Sequence, residues 1–479
     1  MKHSYVFPPS IRQRFSRGLI AIVVFALVLS SGSLTLSYER PQLEAETIES
    51  PANGTTVVAT QGWNAGGYSL ANRPARLVAL GPNGTVDWIH DGPDESRNWF
   101  YDVDPLPNGN LLVVNPVPGT TVVYEYDPAT GDRVWTERLD LPDVHDVDLI
   151  DGDELLVAGI NYDVDRRSQD RLFVYNLTRD EVTWEWYFED HYPDDAGAGV
   201  TARDWTHVND VDRIRDGEFL VSVRNFDQVI VVNRSTKEID LRLGRDGDHE
   251  TLYEQHNPQY LESENGTPTI LVADSENDRI VEYRRVGGPP GEGEWERVWT
   301  LTGDLNWPRD ADRLPNGNTL IVDSMNHRVI EVTPTGKVVW EASVPWATYD
   351  AERVPYGDEG QAVYEDPSDA PTMRDVGATG AYEVHGGAET GVRGLPPLPT
   401  VVAGAVAGTP LTGPLEWIAM RWHHVAPWFT PTWMPTWAAS LLVVVGVILA
   451  VSGLRALGRR LYRSGRLRRR LDRIRDGLD

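Results

Sequence analysis

YDVDPLPNGNLLVV from Tyr101, HDVDLIDGDELLVA from His145, NDVDRIRDGEFLVS from Asn209 and RDADRLPNGNTLIV from Arg309 write one pattern four times. A looser copy, HNPQYLESENGTPTILVA, starts at His256, and a truncated one, YDAERVPYGDEG, at Tyr349. The copies follow one another at 44, 64, 47, 53 and 40 residues. Each reads as a short strand, a glycine-containing turn and an apolar strand, which is a β-hairpin. Most are followed by two more short strands ending in Trp135, Trp184, Trp299 or Trp340. Four short strands recurring at such a period define a β-propeller blade.

Five complete blades run from 99 to 342. The leading fragment 55–88 has outer strands and a terminal tryptophan but no inner motif, and the copy at Tyr349 has the opposite defect. Joined, they make a sixth blade. The expected fold is therefore all-β: a six-bladed β-propeller over 55–356, closed by strands from both ends of the chain. Residues 38–54 read as a linker, and 357–410, rich in Gly, Pro, Ala and acids, as a flexible stalk.

Charge is unevenly placed. The chain carries −28 overall, yet residues 1–17 and 455–479 are basic and flank two uncharged apolar runs, 18–37 and 437–454. Each run is long enough to span a bilayer as a helix. Basic flanks stay on the cytoplasmic side, so both termini are expected inside a cell membrane and the acidic propeller outside, with lipid as a partner of both helices. The first run also fits a cleaved signal peptide. Residues 411–436 contribute Trp417, Trp422, Trp428 and Trp433 to an interfacial aromatic segment, and 455–479 reads as a basic amphipathic tail. An acidic surface of this kind repels nucleic acid and stays hydrated in high salt, as a halophilic protein requires. The absence of cysteine excludes disulfides, thiolate metal sites and a cysteine nucleophile.

In a propeller the first strand of each blade lines the central channel. Tyr101, His145, Asn209, His256, Arg309 and Tyr349, which lead the six copies, therefore face one axis. Side chains two apart share a face, which adds Trp99, His207 and Trp307 above that ring. Arg224 follows on the second strand of the Asn209 blade. Three imidazoles, an amide, a guanidinium and aromatic walls suit a small anionic aromatic ligand. A neutral imidazole can attack sulfur or phosphorus, a second can pass a proton, and Arg with Asn can hold oxygens that gain charge.

With H-D-V at His145, H-V-N-D at His207–Asp210, S-V-R at Ser222–Arg224 and Q-H-N-P at Gln255–Pro258, the chain resembles the arylsulfotransferases that use no nucleotide sulfate. The resemblance implies a ping-pong reaction in which a histidine takes a sulfuryl group from an aromatic sulfate donor and hands it to a phenolic acceptor. It implies His256 as nucleophile, His145 and His207 in proton transfer and oxygen binding, and Asn209 and Arg224 on the sulfuryl oxygens, with no cofactor and no metal. Tyr101, Arg309, Trp99 and Trp307 complete the substrate-binding set.

Two other readings use the same residues. One is a non-catalytic ring of NHL type that binds an envelope partner or glycan, and the other is a metal site of His145, His207 and His256. The stretches Asp102–Gly109 and Asp310–Gly317 superficially resemble calcium loops, but their third ligand falls too late for an EF-hand, and Asn108 and Asn316 sit in Pro-Asn-Gly turns. His327, in DSMNHRVIEV, belongs to the scaffold of an NHL-like repeat.

Overall fold

The computed structural model describes residues 9–62, 75–92, 99–162, 167–197, 203–289, 291–354, 370–388, 392 and 395–463, with side chains from 18 to 462. Six antiparallel sheets surround one channel. Blade 1 is Thr348–Val354, Thr55–Thr60, Arg76–Leu80 and Val86–His90, from the channel outward. Blade 2 starts at Asp102–Pro105, blade 3 at Asp143–Ile150, blade 4 at Val208–Arg215, blade 5 at His256–Glu262 and blade 6 at Pro308–Arg313. The ring closes as expected, by Thr348–Val354 pairing with Thr55–Thr60 from Val354 opposite Thr55 to Thr348 opposite Thr60.

Strands of adjacent blades are not paired as a sheet at the hub, so their backbone N–H groups need other acceptors. The repeated acids supply them. Asp350 accepts from Val103 N at 3.0 Å, Asp148 from Arg213 N at 2.9 Å and Asp310 from Ala351 N at 3.2 Å, while Asp146 accepts from Val211 N. Gln259 does the same for Arg313 N at 2.7 Å. The D-x-D spelling is thus a set of joints between neighbouring blades. Toward the rim, the terminal tryptophans make a second set: Trp184 Nε1 donates to Arg234 O, Trp299 Nε1 to Pro334 O and Trp340 Nε1 to Pro82 O. Between the joints, facing sheets bury Val, Ile and Leu side chains in successive inter-blade cores.

Three expected boundaries change. Within the expected linker 38–54, Glu44–Ile48 is a strand that pairs antiparallel with Val338–Ser343 and becomes a fifth, outermost strand of blade 6. Within the expected stalk 357–410, Gly380–Glu383 pairs in parallel with Glu294–Thr302 and extends blade 5. Ala370, Met373 and Thr372 beside it are buried, and Met373 N donates to Glu282. Both additions cover open sheet edges, which otherwise offer unpaired backbone groups. The stalk also contains helix α2, Leu398–Val406, and the aromatic segment 411–436 folds as helix α3, Thr412–Phe429.

A second compact unit combines residues 1–40 with 391–479. Helices α1, Pro9–Ser37, and α4, Thr436–Arg463, pack on each other, with Ser31 Oγ donating to Ala438 O at 2.9 Å. Gly18–Ser37 and Thr436–Tyr462 are long and apolar enough to cross a membrane. Helix α4 continues past the expected end at 454 into the basic tail, whose residues 464–479 lie outside the described ones.

At the closing blade, Arg353 Nη1 lies 2.9 Å from Glu331 Oε2 of blade 6, and its Nε donates to Thr56 Oγ1 at 2.9 Å, all three residues being buried. Removing one partner of a buried ion pair strands the other charge. Arg353→Ala is expected to lower the unfolding free energy by about 3 kcal/mol, measured by urea denaturation of the full chain; a loss below about 1 kcal/mol would show that this pair does not hold the closure.

Candidate active site

Each inner strand is entered through a residue two places before its ring-facing position. For three of them, His207, Glu254 and Trp307, φ is +45°, +48° and +52°. Left-handed backbone is costly for such side chains and concentrates where the surroundings over-determine it. The surroundings are visible here: Glu254 N donates to Asp227 Oδ1 at 3.0 Å and Trp307 N to Asp278 Oδ1 at 2.8 Å. Asp227 and Asp278 each end a 3₁₀ turn of the preceding blade in left-handed conformation, and His327 occupies the same position after Ser324–Asn326. That is the scaffold role its sequence context implied.

The residues chosen from sequence meet in one network. Tyr101 stacks on His145 at 3.9 Å between ring centroids, and His145 meets His207 edge-on at 4.8 Å. Tyr349 lies 4.7 Å from Tyr101 and 5.9 Å from His256, ring to ring. Arg309 lies over both Tyr349 and Trp307 at 4.8 Å and donates to Gln61 Oε1. Trp99 packs edge-on against Tyr101 at 5.2 Å. Asn209 Nδ2 donates to Gln255 O at 3.0 Å, and Arg224 pairs with Glu254. One placement differs: Arg224 is not on the second strand but opens the 3₁₀ turn Arg224–Phe226 that follows it.

The hydrogen bonds set the tautomer of each imidazole. His256 Nδ1 lies 3.1 Å from Glu254 O and 2.8 Å from Ser275 Oγ; a carbonyl only accepts, so Nδ1 carries the proton. Nε2 of His256 then holds a lone pair with no hydrogen-bond partner among the described residues. His207 Nδ1 lies 2.8 Å from Asp204 Oδ1, which fixes the same tautomer and leaves its Nε2 basic. His145 is reversed: Nε2 is 3.3 Å from Asp143 Oδ1, so Nδ1 accepts from the Tyr349 hydroxyl at 2.8 Å. The Tyr349 hydroxyl thus occupies the one lone pair of His145, which leaves the three imidazoles one free nitrogen short of a three-histidine metal set.

Electrostatics keep the nucleophile candidate neutral. Burial, then the Arg309 and Arg224 charges, hold His256 well below the usual imidazole range. Burial and Arg224 lower His207 to about 4 against the pull of Asp204. Asp143 is half-buried, yet His145 and His207 hold its carboxyl below the ordinary range, and Tyr162 donates to it at 2.7 Å. Burial pulls Arg309 down to about 10, so it stays charged at neutral pH. Arg224 Nε is buried and donates to no acceptor among the described residues. A free imidazole lone pair, a second base and an unspent guanidinium N–H therefore lie within electrostatic reach of one another.

Sequence reasoning missed Asp143, Asp204, Glu254, Ser275 and Gln61. The two-residue rule that picked Trp99, His207 and Trp307 also yields Asp143 and Glu254, one on each flank of His207 around the ring.

The arylsulfotransferase (ASST) family model matches residues 60–279, a span that holds all three histidines, Asn209 and Arg224 and stops short of Trp307 and Arg309. The match supports the resemblance drawn from the motifs, and with it aryl sulfotransfer at the level of the family. No curated protein matches the chain. Solved propellers are similar in outline. A protein of unknown function from Bacteroides caccae is 15% identical, with 63% of this chain and 98% of that one covered and a TM-score of 0.42. The propeller domain of Cps50 (Swd1) from Myceliophteria thermophila is 12% identical over 59% and 82%, TM-score 0.37. Virginiamycin B lyase from Staphylococcus aureus is 6% identical over 62% and 87%, TM-score 0.37.

Protonation gives a test with a defined sign. An unfolded histidine binds a proton near pH 6.5, whereas folded His207 does so only near 4 and burial holds folded His256 well below its ordinary range. Their contribution to stability is full above 6.5 and is lost as pH falls toward 4, by about 1.4 kcal/mol per pH unit for each imidazole. In an NMR titration the His207 ring resonances are expected to stay constant from pH 8 to 5. A midpoint near 6.5 would contradict the burial described.

Proposed function

We propose that this protein transfers sulfuryl groups from a phenolic sulfate ester to a phenol, through a sulfohistidine on His256. The observation that carries this reading is the His256 ring, with Nδ1 tied to Glu254 O and Ser275 and Nε2 free. The Nε2 lone pair attacks sulfur and forms the N–S bond as the S–O bond to the aryl group breaks, its electron pair leaving on the phenolate oxygen. The phenol that arrives next loses its proton to His207 Nε2, its oxygen attacks sulfur, and the N–S bond returns its pair to His256. The first phenolate leaves with its electron pair and takes a proton from water, and His207 returns its proton to water, so protons and electrons balance with no redox partner.

Charge spreads over three sulfuryl oxygens in such a displacement, and fixed donors lower its barrier. Arg224 Nε–H, Arg309 and the Asn209 N–H not spent on Gln255 are placed for this role. Glu254 positions Arg224 and, through its carbonyl, His256. His145 acts through Tyr349: Asp143 fixes its tautomer, and its Nδ1 takes the Tyr349 hydroxyl proton in a hydrogen bond. Tyr101, Trp99 and Trp307 wall the aromatic portion of donor and acceptor.

By the same reading α1 and α4 anchor the chain in a cell membrane, with the basic ends on the cytoplasmic side and the propeller outside.

Incubation of the full chain with a chromogenic aryl sulfate is expected to leave an acid-labile sulfuryl group on His256, located by mass spectrometry. His256→Ala should abolish transfer, and Arg224→Ala should lower kcat by about 10²–10³. Turnover without a His256 adduct, or undiminished in His256→Ala, would defeat the proposal.

A further inference from the structure

A small cleft in the channel is lined by Tyr101, His145, Asn209 and Tyr349 together with Asp102, Asp146, Asp210 and Asp212. Asp146, Asp210 and Asp212, all buried, bring carboxylate oxygens within 4.8 Å of one another. Buried like charges at this spacing repel unless a counter-charge sits between them. The interblade joints account for one oxygen of Asp146, which Val211 N approaches.

Two further observations point inward. Asn209, 1% exposed, turns Nδ2 to Gln255 O, an acceptor that excludes the flipped amide; its Oδ1 is buried in the cleft wall and accepts no hydrogen bond. Asp102, 9% exposed, faces Asp146 and shares a hydrogen bond with it. An amide oxygen cannot be neutralised by a proton as a carboxylate can. Its orientation among these acids calls for a cation.

We propose that the acidic side of this cleft is a divalent-cation site, with Asp146, Asp210 and Asp212 as its anionic ligands and Asp102 and the Asn209 amide oxygen closing an all-oxygen shell. Calcium fits it. Calcium bonds of about 2.4 Å let one ion touch oxygens up to about 4.8 Å apart, and calcium accepts an irregular shell of 6–8 oxygens, whereas magnesium demands shorter, near-octahedral bonds and keeps its waters. The D-x-D pairs do not wrap an ion within one loop; aspartates from three blades supply it. The ion touches no sulfuryl group, and the site stands whatever reaction the imidazoles perform.

The test is elemental analysis of the full chain in detergent and high potassium chloride, stripped with chelator, reloaded with calcium chloride and gel-filtered. One calcium per chain is expected to remain, with a higher unfolding midpoint than the stripped protein. Asp146→Asn and Asp210→Asn should weaken binding by more than the about 10–100-fold typical of losing a partner one step removed from the metal. Asp216→Asn, at an acid 93% exposed, should keep the ion. Terbium offers a second readout on the unaltered chain, because Tyr101 and Tyr349 line the same cleft and should sensitise its emission until calcium displaces it. No retained calcium, equal retention in the two channel variants, or, if those variants do not fold, no calcium-displaceable terbium emission would each overturn the proposal.

Discussion

Everything in this ring depends on how adjacent inner strands are joined at the hub without pairing as a sheet. A buried N–H without an acceptor costs on the order of a lost hydrogen bond, and the hub contains several such groups. Side-chain oxygens of Asp146, Asp148, Gln259, Asp310 and Asp350 answer them across blade boundaries. The joints make the hub acidic, and they hold the inner strands close enough for the leading residue of each to reach the others. The imidazole network is a product of that spacing.

Acidic and basic side chains also divide the channel by chemistry. Burial, reinforced by Arg224 and at His256 also by Arg309, keeps His256 and His207 neutral, while Asp143 and Asp204 fix which nitrogen of His145 and His207 carries the proton. Burial alone would suppress the charged form of any histidine; the carboxylates decide which lone pair is left to react.

The period of the repeat made the six blades and the ring closure readable, because hairpin chemistry and terminal tryptophans recur in plain order. The convergence of His145, His207, Asn209 and His256 was readable for the same reason: a leading position on an inner strand has one direction to face. The second tier was not. Asp143 and Glu254 obey the two-residue rule but are acids in a chain full of acids, and only the left-handed turn at Glu254 shows its carbonyl meeting His256. Ser275 lies in a 3₁₀ turn that no periodicity announces. Glu44–Ile48 and Gly380–Glu383 were hidden by short length and by glycine and acidic neighbours, and edge addition draws on backbone hydrogen bonds that any residue but proline supplies.

Closure by Thr348–Val354 against Thr55–Thr60 also orders events in time. A ribosome delivers Thr55 long before Val354, so throughout synthesis the first sheet lacks its central strand and the hub has a gap on one side. Blades 2 to 5 can assemble from neighbours, but blade 1 waits for the last strand of the array. His145 and His256 gain their ring neighbour Tyr349 only at that moment. A nascent chain stalled before residue 348 would expose the flank of Val57 and Leu77 to whatever chaperone receives it.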